Sequence, residues 1–96
     1  MFESEIAPIK QRLQLAGVER LGVFGSVARG TATPGSDVDV LVRFRPDAQS
    51  YDNLFEVGEA LEQAFHRPVD LVTEPALSPY LGPHILKEVQ YVDLND

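Results

Sequence analysis

The stretch GSVARGTATPGSDVDVL, residues 25–41, decides the fold, because it passes from a turn into alternating acids and valines. Its continuation VDVLVRF, residues 38–44, is rich in β-branched residues and is stopped by Pro46, the pattern of a short strand. Side chains two apart on a strand share a face, with Cα atoms about 6.5–7 Å apart. Asp37 and Asp39 therefore project together, while Val38 and Val40 face the other way, onto helices. Two carboxylates buried side by side without a counter-charge cost on the order of several kcal/mol. The one base at a neighbouring alternate position, Arg43, lies well along the strand. A divalent cation is the simplest counter-charge. With neither His nor Cys beside the acids, oxygen-only ligation favours Mg2+ or Mn2+ over zinc.

Working outward, LGVFG at residues 21–25 reads as a buried strand ending in glycine, and PVDLV at residues 68–72 as a third strand. Asp70, flanked by Val69 and Leu71, repeats the character of VDVLV. If the third strand lies beside the second, three carboxylates converge. That number suits a pair of cations ~3.5–4 Å apart, flanking a phosphorus undergoing in-line displacement. Gly25 lets backbone approach a ligand with no Cβ in the way. Ser26 begins SVAR, which can open a short helix whose N–H groups, with the serine hydroxyl, hold phosphate oxygens. Arg29 reaches the same anion one turn on. Thr31, Thr33 and Ser36 add hydroxyls, and Pro34-Gly35 marks a turn. The link over residues 26–37 allows a hairpin or a turn of helix. The Walker pattern and the dinucleotide fingerprint are both absent.

The flanks read as helices. Phe2, Ile6, Ile9 and Leu13 form one apolar stripe, with Pro8 pointing to a start later than Ser4 and Gly17 a good stop. Residues 51–66 form a second helix, with Leu54, Gly58, Leu61 and Phe65 on one face, Phe55 and Ala64 beside them, and Ser50 or Asp52 as cap. The tail, with three prolines, allows two short helical pieces at most. It is apolar enough to pack on the core or to present a partner surface. The order helix, strand, strand, helix, strand, tail implies an α/β (α+β) fold, a small sheet with helices against it.

At 96 residues the chain is expected to be a single domain, residues 1–96, with a modest core. The absence of cysteine excludes a disulfide framework and thiolate zinc, and is compatible with the cytoplasm. The N-terminus MFESEIAPIK is not a signal peptide, and no apolar run approaches the ~20 residues of a membrane span. Fifteen acids against eight bases, a net charge of −7, provide no basic footprint for direct nucleic-acid binding and suit a basic protein partner. His66 and His84 read as boundary histidines outside any ligand spacing. Tyr51, Tyr80 and Tyr91 read as packing or rim residues, and Glu56, Glu59 and Glu62 as a solvated helix face.

Gly25-Ser26, ten residues, then Asp37-x-Asp39, with Asp70 in a later strand, closely resembles the DNA polymerase β-like nucleotidyltransferase superfamily in its minimal form, the MNT family. SVARG and SDVDV carry the resemblance, which runs from Leu21 to Thr73. It implies a nucleotidyltransferase fold with a small mixed sheet, and transfer of a nucleoside monophosphate from NTP with release of pyrophosphate. On that resemblance Asp37 and Asp39 hold two Mg2+ ions (Mn2+ possible). Asp70 binds the metal on the acceptor side and helps deprotonate the acceptor hydroxyl. Gly25, Ser26, Arg29 and Ser36 contact the nucleotide. Larger relatives carry a helical acceptor domain, for which too few residues follow Thr73, so the acceptor is expected on another molecule. Minimal members commonly pair with HEPN-type toxins, as antitoxins that transfer AMP from ATP to a toxin tyrosine. The alternative left open is neutralisation of the partner by direct binding, without transfer. Transfer to a small molecule is disfavoured by the missing second lobe.

Overall fold

The computed structural model describes residues 2–94. The N-terminal stripe forms α1 (Glu3–Ile6), a 3-10 turn (Ala7–Ile9) and α2 (Lys10–Leu15), which Gly17 ends. The helix starts at Glu3 rather than after Ser4. Pro8 does not delay the start; it tightens the middle of the helix into the 3-10 turn, since its ring denies the ladder a donor. Phe2, Ile6, Ile9 and Leu13 are all buried, as their spacing requires.

Strand β1 (Val18–Phe24) begins earlier than LGVFG suggests, and Gly25 opens the short helix α3 (Gly25–Arg29) instead of closing the strand. Of the two options for the following link, the turn of helix is realised. Then come β2 (Val38–Phe44), α4 (Tyr51–Phe65) and β3 (Val69–Thr73), followed by a 3-10 turn (Glu74–Ala76), α5 (Gly82–Glu88) and β4 (Gln90–Val92). β4 is the element the sequence reading did not anticipate. The sheet order is β3-β2-β1-β4, with β1 antiparallel to β2 and β4, and β2 parallel to β3. The sheet is therefore mixed, as expected.

One face of the sheet supplies Leu21 and Val23 from β1, Val38, Val40 and Val42 from β2, and Val92 from β4. These pack with Ile6, Leu13, Val57, Ala60 and Leu61 of the helices. Each fully buried aliphatic side chain contributes about 1.5–3 kcal/mol relative to exposure. The packed stripe of α4 is Val57, Ala60 and Leu61, with Leu54, Ala64 and Phe65 partly buried. Phe55, expected beside that stripe, is 72% exposed. Ser50 caps the helix by accepting the Asn53 N–H at 3.2 Å.

The glutamates of α4 are not a free solvated face. Arg12 of α2 donates to Glu56 at 2.7 Å and to Gln63 at 3.0 Å, and Glu59 lies 3.9 Å from the same guanidinium. Glu62 accepts the Val69 N–H at 3.3 Å, tying α4 to the start of β3. Arg43 is likewise engaged, at 2.7 Å from Glu19. The ladder register shifts beside Glu19, and Arg20, opposite Arg43, lies over the Tyr91 ring at 4.4 Å.

The tail is divided between core and surface. Val92 and Leu94 are buried in the core, whereas Tyr80, Leu81 and Leu86 are exposed. Gly22 makes the docking possible, because a Cβ there would collide with Val89. His66 and His84 are exposed, with His66 ending α4 in the left-handed region. Among the described residues no helix is long and apolar enough to cross a membrane.

Candidate active site

The second face of β2 carries Asp39, with Asp37 just before the strand. The parallel register sets Asp39 directly beside Asp70 of β3. Side chains at such a pair project from the same face, so the two acids that the sequence placed on separate strands stand together. Asp39 is half-buried, and its carboxyl is held above the usual carboxylate range, first by burial and then by the charges of Asp70 and Asp37. Arg29 opposes that shift, and Glu88 adds to it. Like charge thus bears on Asp39 from both acids, Asp70 across the register more than Asp37 along the chain.

Phe24 pairs with Asp39 in the antiparallel ladder, so the chain leaves β1 immediately beside the acids. Gly25 has φ +73, and a Cβ on it would overlap the Asp39 carboxylate. Glycine is required there twice over, by conformation and by space. Ser26 follows in α3, and its hydroxyl makes no hydrogen bond among the described residues; its carbonyl accepts the Thr31 N–H at 3.0 Å. Arg29, in the last turn, is exposed and places Nη1 3.0 and 3.1 Å from the Glu88 carboxylate oxygens. The Gly25 N–H donates to Glu88 Oε1 at 2.9 Å.

Ser36 is placed differently from the other nucleotide candidates. Its hydroxyl accepts the Thr33 N–H at 2.9 Å and lies 3.1 Å from the Thr33 hydroxyl, closing the Pro34-Gly35 turn. The Arg67 guanidinium donates to the carbonyls of Thr33 and Ser36, at 2.8 and 3.1 Å. Arg67 thus clasps the loop that leads into Asp37, from a position just before β3. Sequence reading singled out neither Arg67 nor Glu88. The base in RPVD precedes the third acid, but no spacing rule ties it to a loop over thirty residues earlier.

The donor set is all oxygen, and the clustered negative charge suits a hard divalent cation. Among the described residues, no three His, Cys, Asp or Glu side chains are drawn close enough to hold a metal ion. The convergence of three carboxylates expected from the sequence is therefore not formed among the described residues; the parallel register brings Asp39 beside Asp70, with Asp37 just outside the strand. The groove of about 350 Å³ between Tyr51, Phe55 and Leu71 includes none of the three aspartates.

Residues 4–92 match the nucleotidyltransferase domain family. The chain is 40% identical over 92 residues to the protein adenylyltransferase MntA of Thermococcus cleftensis, covering 95% of this chain and 92% of that protein. A solved structure assigned as a minimal nucleotidyltransferase superposes with a TM-score of 0.74 at 32% identity, covering 94% of this chain and 95% of the other. The fold is shared as well with the MNT antitoxin complex of a tri-AMPylated Shewanella oneidensis HEPN toxin, at a TM-score of 0.65 and 20% identity, covering 95% of this chain and 71% of that one. The family match over residues 4–92, with 40% identity across 92% of the Thermococcus protein, makes this chain a member of the nucleotidyltransferase domain family and a nucleotidyltransferase.

Proposed function

We propose that this nucleotidyltransferase transfers AMP from ATP to a tyrosine of a HEPN-type toxin protein, for which it serves as antitoxin in the cytoplasm. The observation that carries the reading is the register of Asp39 with Asp70 beside the Gly25-Ser26 turn. It supports the reading because two carboxylates from different strands stand close to a glycine-opened helix turn of the kind that can bind phosphate. The name of the Thermococcus relative supports a protein as acceptor, and the AMPylated toxin bound to an MNT antitoxin supports a HEPN partner. Another toxin–antitoxin complex of the same fold holds AMP-PNP, which supports ATP as donor.

In the transfer, the acceptor oxygen bonds to the α-phosphorus, the bond from that phosphorus to the β-phosphate bridging oxygen breaks, and pyrophosphate leaves with the electron pair. Asp37 and Asp39 are the residues to hold two Mg2+ ions, or Mn2+, with Asp70 completing the set on the acceptor side. Metal held there would offset the repulsion among the carboxylates and the charge of the triphosphate. Asp70 also accepts the acceptor's hydroxyl proton. Ser26 and Arg29 bind phosphate oxygens, Gly25 admits the backbone to them, and Ser36 shapes the loop that delivers Asp37.

The test is incubation with α-labelled ATP, Mg2+ and a HEPN-type toxin protein. Label is expected on the partner, falling at least ~10³-fold with Asp37→Asn and Asp39→Asn. Equal labelling by those variants would overturn the reading. The exposed Tyr80, Leu81 and Leu86 of the tail favour one second reading, neutralisation by contact. In that case the Asp→Asn variants would still protect cells from the toxin.

A further inference from the structure

Three contacts join the C-terminal segment to the phosphate turn. Glu88, the last residue of α5, accepts the Gly25 N–H at 2.9 Å and holds Arg29 through Nη1 at 3.0 Å. Two residues on, the Gln90 side chain donates to the Ala28 carbonyl at 3.0 Å. The five residues of α3 are too few to be stable alone. They are held from outside, at their first amide, at a carbonyl near their end and at their terminal arginine.

The use of donors is selective. Glu88 takes the Gly25 amide and one nitrogen of Arg29. Nη2 and Nε of Arg29, and the hydroxyl of Ser26, have no partner among the described residues. A guanidinium held at one corner keeps the rest of its planar fork for an anion. With Arg29 between them, the Glu88 carboxylate and a phosphate need not face each other.

We propose that Glu88 is a positioning residue for nucleotide. It fixes the Gly25 peptide and the Arg29 guanidinium so that Ser26 and the remaining Arg29 donors meet the phosphates of ATP. The inference rests on the nucleotidyl-transfer reading above and adds a residue which that reading does not include. The C-terminal segment, distant in sequence from the acids, thereby becomes part of the nucleotide site.

The test measures binding of Mg-ATP, inorganic triphosphate and adenosine to the full chain by titration calorimetry, for wild type, Glu88→Ala and Glu88→Gln. Glu88→Ala is expected to weaken ATP and triphosphate about 10-fold, the size common for residues that orient a ligating group, and to leave adenosine unchanged. Glu88→Gln, which keeps an acceptor for Gly25 but no charge for Arg29, falls between, and it serves as the readout if the alanine variant does not fold. In turnover, KM for ATP rises more than kcat falls, which a general loosening of the tail would not produce. Unchanged or tighter ATP binding by both variants would overturn the inference alone, since a carboxylate that merely blocks the turn gives that result. No ATP binding by the wild-type chain would overturn the nucleotide reading and this inference together.

Discussion

Odd and even residues of β2 work in different media. Val38, Val40 and Val42 are fully buried against the helices, where close packing sets the strand's position. Asp39, between two of them, stands on the opposite face beside Asp70, where burial and like charge push its carboxyl up. Leu41 is also buried on this second face, outside the main core cluster, so the acids sit next to apolar structure rather than open solvent on every side. The contrast teaches how a small fold holds an arrangement that is unfavourable by itself. The valine face is bonded by the same backbone to the acid face, so stabilisation on one side offsets repulsion on the other.

The largest effect is expected in the core. Leu61→Ala, under the valine face, should cost about 2–5 kcal/mol, read as a lower urea midpoint. A small loss there would mean that the helix face does not anchor the strand. Gly25→Ala should come next, at about 1–3 kcal/mol, because it forces a side chain into the left-handed region and against the Asp39 carboxylate. Nucleotide transfer should be lost with it, and a variant with wild-type transfer would detach Gly25 from the site.

Asp39→Asn should act in the opposite direction on stability. The folded pKa of Asp39 is raised, so the folded state prefers the protonated form, and ionisation costs stability as pH rises from the unfolded value through the folded one. At neutral pH the amide removes that cost. The gain should be less than about 1 kcal/mol after solvent screening, a Tm rise of no more than about 4–8 °C, alongside loss of transfer. A fall in Tm would show that Asp39 is stabilised by its surroundings. The smallest effect belongs to Glu88, whose pKa is lowered first by the Gly25 N–H and then by Arg29. Its contribution is complete above the ordinary carboxylate value of 4.5 and disappears as pH falls through the lower folded value. The Tm difference between wild type and Glu88→Gln should therefore shrink below pH 4.5 in thermal melts, and a difference independent of pH would remove charge from the explanation.

Much of the site could be read from local patterns. The spacing of Asp37 and Asp39 implies a shared face because a strand repeats every two residues. Asp70 between Val69 and Leu71 announces a second acid-bearing strand in the same way. Gly25 before Ser26, and Gly17 after an apolar stripe, are backbone requirements that stand in the one-letter code. β4 was not legible, because three residues are too short to show a period and its ladder bonds all go to β1. Nor was the pairing of Arg12 with Glu56, since a charged helix face looks solvated until a second helix is laid against it.

The chain alone thus specified which side chains alternate, where backbone had to be glycine, and which acids would repel, since each depends on neighbours within a few residues. Folding decided that Asp39 stands beside Asp70, that Arg67 grips the loop before Asp37, and that Glu88 holds the Gly25 turn. These contacts join residues more than thirty positions apart, and their geometry exists only after the sheet has brought distant segments into register.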